Sequence, residues 1–218
     1  EGAFVVATNA SWGIDNADHT GYPIWCAMYD TLGTAGILNC GATANNNVNI
    51  DVVDDMPTGC ESDFMVSVTA TNNEDIRTFS GYGATTVDLG APGEDVFTTS
   101  MGGGTGSTSG TSFASPLTAG VIGLLYSVPC ATMMDLVHAD PQAGALYVRQ
   151  ALFTGVEQVG NLPGNTVTGG RVNSFNSLQW IMAGCGTCPA PYNLTATSSA
   201  LGEADLAWSS TSSTTFNV

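Results

Sequence analysis

Gly110-Thr111-Ser112-Phe113-Ala114-Ser115-Pro116 leads, after two residues, into Ala119-Gly120-Val121-Ile122-Gly123-Leu124-Leu125. The second half of this stretch is apolar and predicts a buried helix from about Ser112 to Tyr126. The small residues ahead of Ser112 let the backbone turn sharply into that helix. Ser112 then stands at a helix start, where free N–H groups and the helix dipole favour negative charge. A tetrahedral oxyanion built on this serine would be stabilised there. Pro116 is expected in the first turn, where a missing N–H costs little. Ser and Thr are also common helix caps, so these residues taken alone also fit an ordinary cap on a core helix.

Working outward, short apolar runs alternate with helical patterns. Phe4 to Asn9 reads as a strand buried on both faces, and Gly36 to Cys40, Asp63 to Thr69 and Thr86 to Leu89 read as further strands. Pro23 to Leu32 has helical spacing with Gly33 as a stop, and Pro141 to Phe153 and Ser174 to Met182 are two more helices. Asn45 to Asp55 and Gly102 to Gly110 read as loops. Strands alternating with helices imply a mostly parallel sheet in an α/β domain. After Cys185 the pattern changes. Pro189-Ala190-Pro191 is a stiff linker, and the alternating runs Asn193 to Thr197 and Leu206 to Trp208 suggest the first strands of a β-sandwich. A complete sandwich needs about 100 residues, so residues 186–218 are expected to be a partial domain.

The charge excludes some partners. There are 19 acids, three arginines (Arg77, Arg149, Arg171) and no lysine, for a net charge of −16. Such a surface repels nucleic acid and anionic membranes, and it would tolerate Ca²⁺. No apolar run reaches the length of a membrane span. The six cysteines (Cys26, Cys40, Cys60, Cys130, Cys185, Cys188) suit a secreted, disulfide-bearing protein. Pairing of Cys40 with Cys60 would brace the Asn45 loop, and pairing of Cys130 with Cys185 would tie down the domain end; Cys26 and Cys188 have no obvious partner. Cys185-Gly-Thr-Cys188 has metal spacing, but no second pair and no nearby His supports zinc. No cofactor is expected for the chemistry.

Gly110-Thr111-Ser112-Phe113-Ala114-Ser115-Pro116 resembles the nucleophile signature of the subtilisin-like serine peptidases, the subtilases. Ser11-Trp12-Gly13 is similar to the segment that pairs with the substrate backbone in that family. Ala42-Thr43-Ala44-Asn45 is similar to its oxyanion segment, with Ala44 where glycine is usual. Phe79-Ser80-Gly81-Tyr82-Gly83, Leu89-Gly90-Ala91-Pro92-Gly93 and Gly170-Arg171-Val172-Asn173 resemble three further landmarks, so the likeness covers roughly residues 3 to 182. It implies a three-layer α/β sandwich over residues 1–185, followed over 186–218 by a linker and the start of a fibronectin type III-like module. It implies secreted endopeptidase activity on peptides or proteins. Ser112 would attack the scissile carbonyl, Asn45 would hold the oxyanion, and Ser11, Trp12, Gly13, Ala42, Thr43 and Ala44 would line the substrate. Asp51, Asp54 and Asp55 lie where the family's specificity pocket would run; they could be a solvated loop, bind Ca²⁺ or favour a basic substrate side chain.

A serine nucleophile needs a general base and an orienting carboxylate, which in this family precede the Ser-x-Gly segment. Here His19 follows it, in what reads as a surface loop, and His138 follows the nucleophile near a helix end. Neither matches the family's His motif. The opening strand at Phe4 leads to the expectation of an upstream segment that carries the Asp and the His and packs against this strand. The alternative is a non-catalytic assembly module that joins other chains through an exposed sheet edge.

Overall fold

The architecture follows from which apolar runs lose all contact with water. The computed structural model describes residues 4–185, 192–200, 203–209 and 216–217. In chain order the elements begin with β1 (Ala7–Ala10), β2 (Ile14–Asp15), a 3₁₀ turn (His19–Gly21), α1 (Pro23–Thr34) and β3 (Leu38–Ala42). Then come α2 (Ile50–Val53), β4 (Asp55–Met56), β5 (Met65–Thr71), β6 (Leu89–Pro92), β7 (Val96–Ser100) and β8 (Gly104–Thr108). Four helices complete the first unit: α3 (Thr111–Tyr126), α4 (Ala131–Ala139), α5 (Pro141–Thr154) and α6 (Ser174–Gly184). A second unit, from Cys185 onward, holds β9 (Tyr192–Ala200), β10 (Glu203–Ser209) and β11 (Phe216–Asn217), an antiparallel sheet ordered β11-β10-β9.

The central sheet is ordered β1-β3-β5-β6 and every pair in it is parallel. All residues of β3 and β5 are buried, as parallel strands covered on both faces must be. Helix α3 packs on all four strands, and Ile122 and Leu125 bring its apolar stripe into the core with Leu38, Val66, Val68 and Leu89. Helix α1 packs on β3 and comes close enough that a Cβ on Gly33 would lie 2.0 Å from the Phe64 ring. Gly33 is therefore a packing residue inside the last turn, and the helix ends beyond it at Ala35.

Several expectations change. Phe4 and Val5 were expected in a strand buried on both faces; they are 62% and 50% exposed, because β1 is the edge of the sheet and begins at Ala7. Gly102 to Gly110 was expected to be a loop. Most of it forms β8, which pairs residue by residue with β7 around Met101, Gly102 and Gly103. Gly102 and Gly103 take φ of 94° and 87°, the left-handed turn that glycine permits. Helix α4 and the short α2 lay in stretches read without structure. Pro116 sits well inside α3 rather than in its first turn. Cys60 pairs with Cys26, not with Cys40, tying α1 to the chain after β4. Cys40 is a buried free thiol within β3. Cys130 and Cys185 are each disulfide-bonded. Cys188 and the linker at Pro189 to Pro191 lie outside the described residues.

One acid is built into the sheet. Asp88 is buried, accepts the Ser67 N–H at 2.7 Å and faces Arg149 at 3.7 Å. Burial outweighs both partners and pushes its carboxyl up from 3.8 to about 6. A carboxyl whose folded pKa is raised stabilises the fold while protonated, and that contribution is lost as pH rises through the folded value. Between pH 4 and pH 7, Asp88→Asn is expected to gain about 1–3 kcal/mol relative to the parent. Thermal unfolding of both proteins at the two pH values checks this; a gap that does not change with pH counts against it. Breaking the Cys26–Cys60 bridge by Cys26→Ala is expected to cost about 2–4 kcal/mol, read as a lower unfolding midpoint in denaturant.

Candidate active site

Helix α3 carries a proline where Ser112 needs an N–H. Pro116 has none to give the Ser112 carbonyl one turn back, so that acceptor has to be met from outside the helix. The Ser11 hydroxyl meets it, donating to Ser112 O at 2.9 Å. Ser112 Oγ donates in return to Ser11 O at 3.2 Å. Asn9 sets the direction of this exchange: its Nδ2 donates to Ser11 Oγ at 2.9 Å, leaving the hydroxyl hydrogen for Ser112, while its Oδ1 accepts from Ser115 Oγ at 2.6 Å. Four side chains, those of Asn9, Ser11, Ser112 and Ser115, thus dock the end of β1 and the segment after it onto the first turns of α3. Sequence reasoning gave no site role to Asn9, at the end of the first strand run, or to Ser115, inside the Gly110–Pro116 motif.

Asn45 is placed just as firmly. Thr111 donates to Asn45 Oδ1 from its backbone N–H at 3.0 Å, and its hydroxyl donates to Thr43 O at 2.5 Å while lying 3.1 Å from Asn45 Oδ1. With the carbonyl oxygen of the amide held by Thr111, the amide nitrogen is the end left to donate elsewhere. Thr43 is buried at the end of β3. The remaining landmarks support these two segments from behind. Gly81 N–H donates to Ala44 O at 2.7 Å, and Ser80 is buried with its hydroxyl bonded to Ala70 N and O. Gly110 N–H donates to Gly93 O at 2.8 Å, fixing the turn into Ser112.

A narrow cleft opens where these parts meet. Ser11, Trp12, Gly13, Ala42, Thr43, Asn45, Thr111 and Ser112 line it, together with Asp15, Asp55 and Met56. Seven of the eight residues named from the sequence as site residues, and Thr111 beside them, come together; the eighth, Ala44, is buried next to the cleft and does not line it. Trp12 is 65% exposed and stacks on Trp25 with centroids 4.9 Å apart, giving one wall a flat aromatic rim. Of the three acids at 51, 54 and 55, Asp55 alone reaches this cleft. The Asp51 carboxylate accepts from the N–H groups of Thr85 and Thr86, and Asp54 accepts both the backbone N–H and Nδ1 contact of His19, at 2.8 and 2.6 Å.

The histidines lie elsewhere. His19 and Asp54, with Asp18, line a wide cavity of about 910 Å³ that shares no residue with the Ser112 cleft. Ligand atoms of these three residues lie within 4.8 Å of one another, so they form the set best placed to meet a cation among the described residues. His138 closes α4 and packs edge-on against Phe4. Among the described residues the hydrogen bond of Ser112 Oγ goes to a carbonyl, not to an imidazole. The wide cavity is the larger space, but the nucleophile motif, the candidate oxyanion donor and the substrate-strand motif converge on the narrow one.

Proteinase R of Parengyodontium album is 38% identical over 102 residues, covering 46% of this chain and 25% of that protein. Alkaline serine protease ver112 of Corniculantispora psalliotae is 39% identical over 88 residues, covering 40% and 22%. The chain therefore spans about a quarter of the length of the curated relatives it matches. Among solved structures, the patellamide maturation protease PatA superposes with a TM-score of 0.61 at 25% identity, over 82% of this chain and 63% of that one. The family model of the subtilases matches residues 4–161, most of the sheet and helices that hold the cleft, and the chain belongs to the subtilase family.

Proposed function

We propose that this chain is the nucleophile-bearing part of a secreted serine endopeptidase. The observation that carries this reading is the convergence of Ser112, at the start of α3, with Asn45, whose amide oxygen is tied down by Thr111. In the proposed reaction Ser112 Oγ adds to the scissile carbonyl. The Asn45 amide nitrogen and the Ser112 backbone N–H donate to the oxygen as it becomes negative, where the helix start adds its dipole. Ser11, Trp12 and Gly13 hold the substrate backbone along one side, and Ala42, Thr43 and Ala44 form the other. A serine nucleophile needs no cofactor for this step.

The base and its carboxylate are assigned to an upstream segment of the same peptidase domain. Among the described residues β1 has a hydrogen-bonded neighbour only on its β3 side, which leaves its other edge to a further parallel strand beside Ser11. Secretion is supported by the Cys26–Cys60 disulfide and by the disulfide-bonded Cys130 and Cys185. Among the described residues no single helix is long and apolar enough to cross a membrane. The antiparallel β9, β10 and β11 are read as the opening strands of a fibronectin type III-like module.

A fluorophosphonate probe tests the reading. The protein purified with its upstream segment is expected to be labelled at Ser112, located by mass spectrometry, and Ser112→Ala is expected to abolish labelling. Absence of labelling in that preparation would sink the proposal. Asn45→Ala is expected to lower kcat about 10²–10³-fold, the known cost of removing one oxyanion donor, subtilisin's own being the reference case. A loss seen mainly in KM would point instead to a ground-state contact.

A further inference from the structure

Two charged residues line the Ser112 cleft, and both are acids. Asp15 and Asp55 lie opposite each other, paired in register on the antiparallel strands β2 and β4. Asp15 is exposed, whereas Asp55 is only 1% exposed. The Asp55 carboxylate accepts from Thr58 Oγ1 at 2.5 Å and from the Ala44 backbone N–H. It has no ion-pair partner among the described residues. The chain has no lysine, and its three arginines are engaged elsewhere. Arg77 lies over Tyr82, Arg149 faces Asp88, and Arg171 pairs with Asp75 and Glu157.

A buried carboxylate without a countercharge is expensive, and folds keep one where a ligand supplies the missing partner. The position of this one identifies the ligand. Ser112 and Asn45 line the same cleft as the two acids. A carbonyl held between them puts the side chain of its own residue, one bond away, into the space they line. Gly13, Ala42 and Thr43 offer small walls, and Met56 offers an apolar one. Such walls suit a long, unbranched stem, and the two carboxylates suit a cation at its end. The net charge of −16 would also concentrate cationic peptides near the surface.

Resting on the peptidase reading of Ser112, we propose that Asp55, assisted by Asp15, selects substrates with lysine or arginine at the residue whose carbonyl is attacked. The charges nearest Asp55 are themselves acidic, Asp15 across the strand pair and Asp54 beside it, so neither neutralises it.

Peptides that differ only in Arg, Lys, Leu or Phe before the scissile bond give the test. The kcat/KM for Arg or Lys is expected to exceed that for Leu or Phe by about tenfold or more, and Asp55→Asn is expected to erase about tenfold of that ratio, as loss of one charge-assisted contact would. Because Asp55 is buried, Asp15→Asn on the exposed strand serves as the second variant, with a smaller fall, about threefold, in the same ratio. Cleavage with no advantage for Arg or Lys overturns the proposal and leaves the peptidase reading standing. Absence of both cleavage and fluorophosphonate labelling overturns the peptidase reading. Benzamidine, a small aromatic cation, gives a readout that needs no turnover. Calorimetric titration of the Ser112→Ala protein is expected to show binding that weakens about tenfold in the added presence of Asp55→Asn. Benzamidine binding that ignores Asp55→Asn, or no binding at all, overturns the proposal.

Discussion

The carbonyl of Ser112 loses its helical donor at Pro116 and recovers one in the Ser11 hydroxyl, 2.9 Å away. The rest of the site hangs from that exchange. It joins the segment after β1, the edge strand of the sheet, to the helix that crosses all four strands. Ser112 returns a hydrogen bond to the Ser11 carbonyl, and Asn9 fixes which way the Ser11 hydroxyl points. Ser112 is thus set by contacts made through backbone and short side chains, groups with little rotamer freedom to lose. The same restraint explains why a loop-borne segment such as Ser11-Trp12-Gly13 keeps its place beside a rigid helix.

The opposite wall rests on a second exchange of the same kind. Thr111 uses its N–H and its hydroxyl on Asn45 and Thr43, so one residue orients both the helix start and the amide across the cleft. Ser80, Gly81 and Gly93 then brace those two segments from the neighbouring loops. Residues that looked like separate family landmarks along the chain are, in the fold, successive layers of support behind one cleft. This is why a domain with few charged contacts, three arginine–carboxylate contacts among the described residues, can hold its site. Backbone hydrogen bonds, tightly packed glycines and buried hydroxyls do the positioning.

Much of this was legible in the sequence where side-chain type and position act together. The motifs that carry Ser112, Asn45 and Ser11-Trp12-Gly13 pointed to residues that line one cleft, and α3 and α5 were read from their long apolar spacing. What stayed hidden depends on partners distant along the chain. The β7–β8 pair is held by cross-strand backbone bonds between Thr-, Ser- and Gly-rich segments whose composition reads as loop. The 9-residue α4 is too short for its periodicity to stand out. Asp51, Asp54 and Asp55 look alike on paper, yet one caps a turn, one pairs with His19 and one is buried in the cleft. Cysteine pairing failed for the same reason: Cys40 faces into a covered sheet, while Cys26 and Cys60 are brought together by α1 and the turn after β4.

The proline in α3 also has a bearing on how this sequence can drift. Positions 11 and 116 share one acceptor, the Ser112 carbonyl, and between them they must supply one donor. A lineage that lost the hydroxyl at position 11 would leave that carbonyl unmet until position 116 regained an N–H. A lineage that lost the proline would free the hydroxyl and loosen the segment that holds the cleft's first wall. The two positions are thus bound to change together, a pairwise signature to look for when related sequences are compared.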